Sequence, residues 1–220
     1  MPPLFFLLGF KGFEELMTAL GLTQNTILQP MKLVDKFELT SLAEICSFIR
    51  TFEGYESRAY DLKDGRITIG YGSTAWLSNT GKVIRPVRMG DTIDEPTARQ
   101  LVYNYFYPVI PVVDLYLSSR AYKIHPKLLA MLLQNLYGTG LGGVSYNFFK
   151  NSISLCNGIT DLERIASIYY NETMKSLSSM KNYPVNKLGW TRRYFAASDF
   201  IRGNLRPKIW YDRNITKPWK

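Results

Sequence analysis

The chain of 220 residues has few of the side chains that metal and redox sites need. It contains one histidine, His125, and two cysteines, Cys46 and Cys156, which form no metal-binding or redox motif. We therefore expect no metal site and no cofactor. His125 directly precedes Pro126, which favours a role at the start of a helix over catalysis. Cys46 falls within an amphipathic helical pattern, which favours two buried free thiols over a disulfide.

Long apolar runs, targeting signals, repeats and low-complexity segments are also missing. The longest early apolar run, residues 4–10, is too short to span a bilayer, and it lacks the charged start and cleavage site of a signal peptide. We therefore expect a folded, soluble protein with no membrane span and no signal-directed export. The glycine-rich stretch 138–143 lacks the Lys-Ser/Thr of a phosphate-binding loop, so we interpret it as a hinge or helix cap.

Acidic residues are scarce relative to basic ones, with 18 Asp and Glu against 27 Lys and Arg and a net charge of +9. Residues 181–220 alone carry ten basic and two acidic side chains. Such a region suits a polyanionic partner such as the bacterial envelope, and a solvated basic face that aids solubility is an equal alternative. No nucleic-acid-binding motif accompanies the charge, so we expect no nucleic-acid partner.

The patterns along the chain divide it into three parts. Residues 1–40 form an N-terminal extension whose apolar side chains need a partner surface, which makes it a candidate docking segment. Residues 41–205 form the main domain, and residues 206–220 form a basic C-terminal tail. After its first helix and hairpin, the main domain shows helical patterns over 94–107, 109–119, 126–137, 145–156, 160–177 and 189–201. Asp94 is the predicted cap of the first of these helices, and Thr160 with Glu163 forms a predicted capping box at the start of the fifth.

The first helix of the main domain leads into a β-hairpin. A capping box at residues 41–44 starts the helix, apolar residues recur at helical spacing, and Gly54 ends it. The hairpin strands 59–63 and 66–71 flank Asp64-Gly65, a strong two-residue turn signal. With these two residues as the loop, the predicted register places Asp61 opposite Thr68, on the same face of the ribbon.

This pattern brings an acid, a second carboxylate and a hydroxyl together. Glu53 ends the helix, where the dipole disfavours an anion and so favours the protonated form that a general acid needs. Asp61 and Thr68 could share one water, as in an inverting glycosidase. Asp64 more simply stabilises the turn. Glu56 is a rival acid, but it lies beyond the helix end and has no partner at matching spacing.

The same residues resemble the motif of the phage-type lysozymes of glycoside hydrolase family 24. That motif is Glu-Gly ending the first helix, then Ala-Tyr, an Asp, a turn and Thr-Ile-Gly-Tyr-Gly. Here it reads Glu53-Gly54, Ala59-Tyr60, Asp61, Asp64-Gly65 and Thr68-Ile69-Gly70-Tyr71-Gly72, with the family's interval of 15 positions from Glu to Thr. A gapless match puts the family's Asp at Leu62, so Asp61 is our first choice for that role and Asp64 the alternative. The weaker similarities are residues 130–140 around Asn135 and residues 189–193.

The resemblance covers roughly residues 42–205 and implies an α+β, mostly helical, lysozyme-like fold with a small β-hairpin lobe and a helical lobe. It implies a muramidase that cleaves the β-1,4 bond between N-acetylmuramic acid and N-acetylglucosamine. Glu53 would be the acid, Asp61 would position water or stabilise positive charge on the sugar, and Thr68 would hold the water. A lytic transglycosylase and an inactive lysozyme-like wall-binding or structural module are the alternatives.

The resemblance also implies partners and a place of action. Bacterial peptidoglycan is the expected substrate, with Tyr71 and Trp76 as sugar-facing residues and Asn135 as a further contact. The resemblance leaves residues 1–40 unexplained, and their apolar side chains favour attachment to a virion or tail protein over a strut packed on the main domain. The protein would then act from the host cytoplasm after release to the cell wall, or as part of a virion.

Overall fold

The computed structural model describes residues 39–61, 65–139, 145–179 and 183–204. The candidate docking segment up to residue 38, the basic tail 206–220 and Asp64 lie outside the described residues, as does most of the glycine-rich stretch. In chain order the elements are helix α1 (Leu39–Glu53), strands β1 (Glu56–Asp61), β2 (Ile67–Gly70), β3 (Ala75–Leu77) and β4 (Val83–Pro86), and helices α2 (Glu95–Ser118), α3 (Pro126–Thr139), α4 (Ser145–Cys156), α5 (Leu162–Ser178) and α6 (Tyr183–Arg202).

This order confirms the α+β, mostly helical lysozyme-like fold with small antiparallel hairpins. The chain divides into two compact units, residues 1–116 and 117–220. None of the helices in the described part of the chain is both long and apolar enough to cross a membrane.

Helix α1 forms as its apolar spacing predicts. Ile45, Phe48 and Ile49 are buried at 0–1% exposure, on the one face that i, i+3 and i+4 positions share. The helix ends at Glu53 because Gly54 adopts φ +69°, a left-handed conformation that glycine takes without a Cβ penalty. This termination fixes Glu53 at the helix end.

The β1–β2 hairpin forms, but the predicted register is wrong by one residue. Tyr60 lies opposite Thr68, and Asp61 lies opposite Ile67. Asp61–Ile67 is the last pair among the described residues, and this register does not fit the two-residue turn that Asp64-Gly65 predicted. A shift of one residue in one strand moves its side chains to the other face of a ribbon. Asp61 and Thr68 therefore do not form the predicted same-face pair.

The second hairpin, β3–β4, was not predicted. It pairs Trp76 with Arg85 and is closed by hydrogen bonds from Ser78 N to Lys82 O (2.8 Å) and from Gly81 N to Ser78 O (2.8 Å). The signal that could have revealed it is Asn79-Thr80-Gly81 between two short runs of strand-forming residues.

Helix α2 replaces the two helices predicted over 94–107 and 109–119. Pro108 lies inside it and has no N–H to donate to the Asn104 carbonyl one turn earlier. Gly81 packs closely against this part of α2. A Cβ on Gly81 would lie 2.6 Å from the Asn104 carbonyl oxygen. The Asn104 side chain also donates to Leu77 O (3.1 Å). In the first unit, the second hairpin thus packs against α2 at the point where Pro108 removes one backbone hydrogen bond of the helix. At the helix start, Asp94 accepts from Thr97 N (2.9 Å), which confirms the predicted cap.

The second unit is helical. Helix α3 buries almost its whole length, and His125 starts it by accepting from Lys127 N at Nδ1 (3.2 Å), as predicted. Helix α4 has the predicted bounds. The cap of α5 was predicted at Thr160, but Asp161 is the cap and accepts from Glu163 N and Arg164 N.

Both cysteines are buried free thiols, which confirms the prediction. Burial raises the pKa of Cys46 to about 12 and that of Cys156 to about 11. Neither thiol is therefore a reactive nucleophile near neutral pH.

Candidate active site

Glu53 presents a half-buried carboxyl group at the C-terminal end of α1. Its Oε2 faces the turn that follows β2, where a Cβ built on Gly72 would lie 3.8 Å away. Gly72 has φ +90°, so any other residue there would be strained as well as placed against the acid. The helix end and this turn together position the carboxyl group, and the role of Glu53 as the acid stays a prediction.

The turn beside Glu53 is tightly fixed. Ile69 N donates to Ser73 O (2.9 Å) and Ser73 N donates to Ile69 O (3.0 Å), which closes the loop 69–73. Gly70 sits so close to α2 that a Cβ there would lie 2.8 Å from Ala98 Cβ. Gly70 therefore lies against α2 at a distance that only glycine permits, because a Cβ there would clash with Ala98.

Tyr71 anchors the same turn. It is buried at 5% exposure, its hydroxyl donates to Glu95 Oε1 (2.7 Å), and its ring centroid lies 5.7 Å from that of Tyr55. Arg99 donates to the same Glu95 oxygen from Nη2 (2.5 Å) and Nε (3.1 Å). These hydrogen bonds, that from Arg99 first, hold the pKa of Glu95 below its usual range. The prediction that Tyr71 contacts substrate is not supported by this geometry.

Thr68 lies on β2, two residues before this turn, and its side chain is buried at 1% exposure. Its hydroxyl has no hydrogen-bond partner among the described residues. A buried hydroxyl left unpaired costs free energy, so such groups are uncommon and call for an explanation. A hydroxyl kept to bind a catalytic water is one such explanation.

Asp61 is the last described residue of β1, and its side chain is exposed. Because it pairs with Ile67 while Tyr60 pairs with Thr68, its side chain leaves the ribbon on the face opposite that of Thr68. The structure therefore does not bring Asp61 and Thr68 together around one water.

Trp76, on β3, is half-buried and belongs to a polar network. Its Nε1 donates to Asp91 Oδ2 (2.9 Å), and the Arg85 guanidinium lies 5.1 Å from its ring centroid. Arg85 also donates twice to Asp91, from Nη1 (2.6 Å) and Nη2 (3.1 Å). Trp76 lines an open cleft of about 510 Å³, so it remains the better of the two aromatic candidates for a ligand contact.

Asn135 belongs to a buried cluster in the second unit. Its Nδ2 donates to the Tyr169 hydroxyl (2.7 Å), and its Oδ1 accepts from Gln134 Nε2. Arg193 donates to Gln134 Oε1 from Nε and Nη2 (both 3.1 Å). The side chain of Asn135 is 1% exposed, which suits a packing role. Its role as a substrate contact stays a prediction.

Two functional features escaped the sequence reasoning. The Tyr71–Glu95–Arg99 network had a visible signal, because Glu95 and Arg99 stand four positions apart at the start of a predicted helix. The orphaned Thr68 hydroxyl had none, because burial without a partner is a property of the packed structure. In the parts of the chain that are described, no three His, Cys, Asp or Glu side chains are grouped to hold a metal ion.

Comparison with known proteins gives one match. The family model described as phage lysozyme matches residues 50–152, which include Glu53, the first hairpin and its turn. No curated protein and no solved structure matches the chain.

Proposed function

We propose that this protein is a peptidoglycan hydrolase, and specifically a muramidase acting on the β-1,4 bond between N-acetylmuramic acid and N-acetylglucosamine, because residues 50–152 match the phage lysozyme family model. The observation that carries the proposal is the placement of Glu53, a half-buried carboxyl group at a helix end beside an obligatory glycine turn. A general acid must donate a proton to the leaving glycosidic oxygen, and this carboxyl group is held for that task.

Thr68 supports hydrolysis in this proposal. Its buried hydroxyl, without a partner among the described side chains, can accept from or donate to a water that attacks the sugar. The pairing of Asp61 with Ile67 removes the argument that favoured Asp61 over Asp64 as the second carboxylate, because Asp61 leaves the ribbon on the wrong face. We therefore rank Asp64 first and Asp61 second for stabilising positive charge on the sugar.

A lytic transglycosylase is the second candidate, and the exposed position of Asp61 favours it. In that reaction a hydroxyl of the muramic acid takes the place of water, so Glu53 is needed and a carboxylate beside Thr68 is not. An inactive wall-binding or virion structural module is the third reading, which the intact Glu53 and its glycine turn oppose. Delivery by release to the cell wall or within a virion is compatible with each of them.

Product analysis separates these functions. The full-length protein is incubated with purified peptidoglycan and the soluble fragments are analysed by mass spectrometry. Reducing N-acetylmuramic acid ends are expected, whereas anhydromuramic ends would identify a transglycosylase. If the wild-type protein released no more fragments than a control incubation without protein, the enzymatic proposal would be wrong.

A further inference from the structure

The first unit carries a cleft that the proposed chemistry does not use. Its volume is about 510 Å³, and it lies where β1 runs beside the start of α2. The lining residues are Ser57, Arg58, Trp76, Thr92, Ile93, Asp94 and Thr97. Glu53 and Thr68 are not among them, so the cleft needs a separate explanation.

Backbone pairing makes the floor of the cleft rigid. Residues 91–93 run along the edge of β1 that does not face β2: Ile93 N donates to Ser57 O (2.9 Å), and Ala59 N donates to Asp91 O (3.0 Å). Arg58 and Thr92 face each other across this bridge. Their side chains, with Ser57 and Thr97, put a guanidinium and three hydroxyls around a fixed surface.

The two charged residues of the cleft differ in what they already bind. Asp94 caps α2 by accepting from Thr97 N (2.9 Å), and hydrogen bonds from Thr97 hold its pKa below the usual range. The exposed guanidinium of Arg58 has no ion pair or hydrogen bond with any described side chain. In the same unit, Arg85 and Arg99 are paired with Asp91 and Glu95. Arg58 is therefore the charged group of the cleft that is open to a carboxylate, whereas the carboxylate of Asp94 is already engaged at the helix cap.

Sugar stacking explains the cleft less well than an anion does. Trp76 offers an aromatic surface, but Arg85 lies over its ring and its Nε1 is bound to Asp91. A volume of about 510 Å³ is within the range of small-molecule sites and far larger than an inorganic anion needs. A guanidinium binds a carboxylate through two parallel hydrogen bonds, which an ammonium cannot do.

We propose that this cleft binds the carboxylate groups of the short peptides attached to peptidoglycan glycan strands, with Arg58 as the carboxylate-binding residue. The hydroxyls of Ser57, Thr92 and Thr97 would meet peptide amides, and Trp76 would contact an aliphatic side chain. This inference rests on the proposed function, since it takes the same polymer as substrate and assigns it a second point of contact.

The test uses the full-length protein and peptides released from purified peptidoglycan by an amidase, with binding measured by titration calorimetry. The wild-type protein is expected to bind them, and to bind the methyl-esterified peptides much more weakly. Arg58→Gln should weaken binding about three- to tenfold, and Arg58→Lys should fall between the two. Arg88→Gln is the matched control, because Arg88 is exposed in the same unit and does not line the cleft.

Several outcomes would overturn the inference. These are undetectable binding by the wild type, equal binding of esterified and free peptides, or equal losses in Arg58→Gln and Arg88→Gln. Loss by Arg58→Gln of affinity for a neutral N-acetylglucosamine oligomer alone would make the cleft a sugar site instead. Binding needs no turnover, so the two proposals fail separately: lysis without peptide binding rejects the cleft assignment, and peptide binding without lysis rejects the muramidase.

Discussion

The two hairpin regions of the first unit differ in how far their buried polar groups are satisfied by hydrogen bonds. In the second hairpin region, the Asp91 carboxylate accepts four hydrogen bonds, from Trp76 Nε1, from two Arg85 nitrogens and from Arg88 N. In the first hairpin, the more deeply buried Thr68 hydroxyl has no partner among the described residues. Both hairpins are short and two-stranded, so strand pairing alone does not account for the difference.

We interpret this difference as one between polar groups that stabilise the fold and polar groups that are open to a ligand. A saturated carboxylate stabilises the loop that surrounds it, whereas an unsaturated buried hydroxyl costs stability unless another molecule binds it. Proteins tolerate such costs mainly where function needs them. Substitutions in the first hairpin and its helix should therefore affect lysis, and those around Asp91 should affect stability.

The largest effect is expected for Glu53→Gln. The amide keeps the shape of the side chain and cannot donate a proton as an acid does, so peptidoglycan hydrolysis should fall by about 10²–10⁴-fold. The rate of fragment release from purified peptidoglycan measures this, and thermal unfolding checks that the fold is intact. Glu56→Gln is the matched control, since Glu56 is exposed and three residues away. A folded Glu53→Gln protein that kept more than about a tenth of the activity would falsify the assignment.

The second carboxylate should give the next largest effect. Asp64→Asn is expected to lower the hydrolysis rate by roughly 10²-fold, through loss of charge stabilisation in the transition state, and Asp61→Asn much less. The reason is the observed register, which turns Asp61 away from the face of Thr68. The two rates on one peptidoglycan preparation decide the matter. A larger loss in Asp61→Asn would mean that Asp61 reaches the substrate in spite of its pairing with Ile67.

The register shows what the sequence could and could not predict in this region. Helical spacing and Gly54 placed Glu53 correctly, because both are local properties of the chain. The hairpin was also found, but the two-residue turn predicted at Asp64-Gly65 requires a register that differs by one residue from the observed one. Register depends on how the strands pack as well as on the turn, and one residue decides which face a carboxylate occupies.

Elsewhere in the chain, the sequence-based predictions were also limited by tertiary packing that local patterns do not show. Two helices were predicted over 94–107 and 109–119, but α2 continues through Pro108 between them, with Gly81 packed against the Asn104 carbonyl. Tyr71 was predicted to face a sugar on the strength of its position in the motif, yet tertiary packing buries it against Glu95. Motif spacing thus placed the backbone of the site, while the direction of individual side chains depended on contacts remote in sequence.

A smaller effect is expected for Thr68→Val, which tests directly whether the buried Thr68 hydroxyl serves catalysis. Valine has the same shape and lacks the hydroxyl, so the free energy of unfolding should be unchanged or slightly increased. Hydrolysis should fall about tenfold, the equivalent of roughly one hydrogen bond to the attacking water. Thr68→Ser is the control, because it keeps the hydroxyl. A Thr68→Val protein of full activity, or one that is clearly destabilised, would show that the hydroxyl is not reserved for catalysis.

The smallest effect on lysis is expected for Asp91→Asn, which should instead lower the unfolding midpoint at pH 7. The hydrogen bonds from Arg85, then those from Trp76 and Arg88, hold the pKa of Asp91 far below its ordinary value. A depressed pKa contributes stability at pH values above the ordinary carboxyl pKa of about 4, and that contribution is lost as the pH falls below it.

The difference in unfolding midpoint between wild type and Asp91→Asn should therefore be largest near neutral pH and shrink on acidification. Thermal unfolding of both proteins between pH 7 and pH 3 measures this difference. Lysis at pH 7, assayed at a temperature below the unfolding midpoints of both proteins, should be nearly equal for the two. A difference that stayed constant across this range would mean that the charge of Asp91 contributes nothing. A large loss of lysis without loss of stability would mean that Asp91, like Thr68, serves the ligand and not the fold. The proposed difference between the two hairpins would then be wrong.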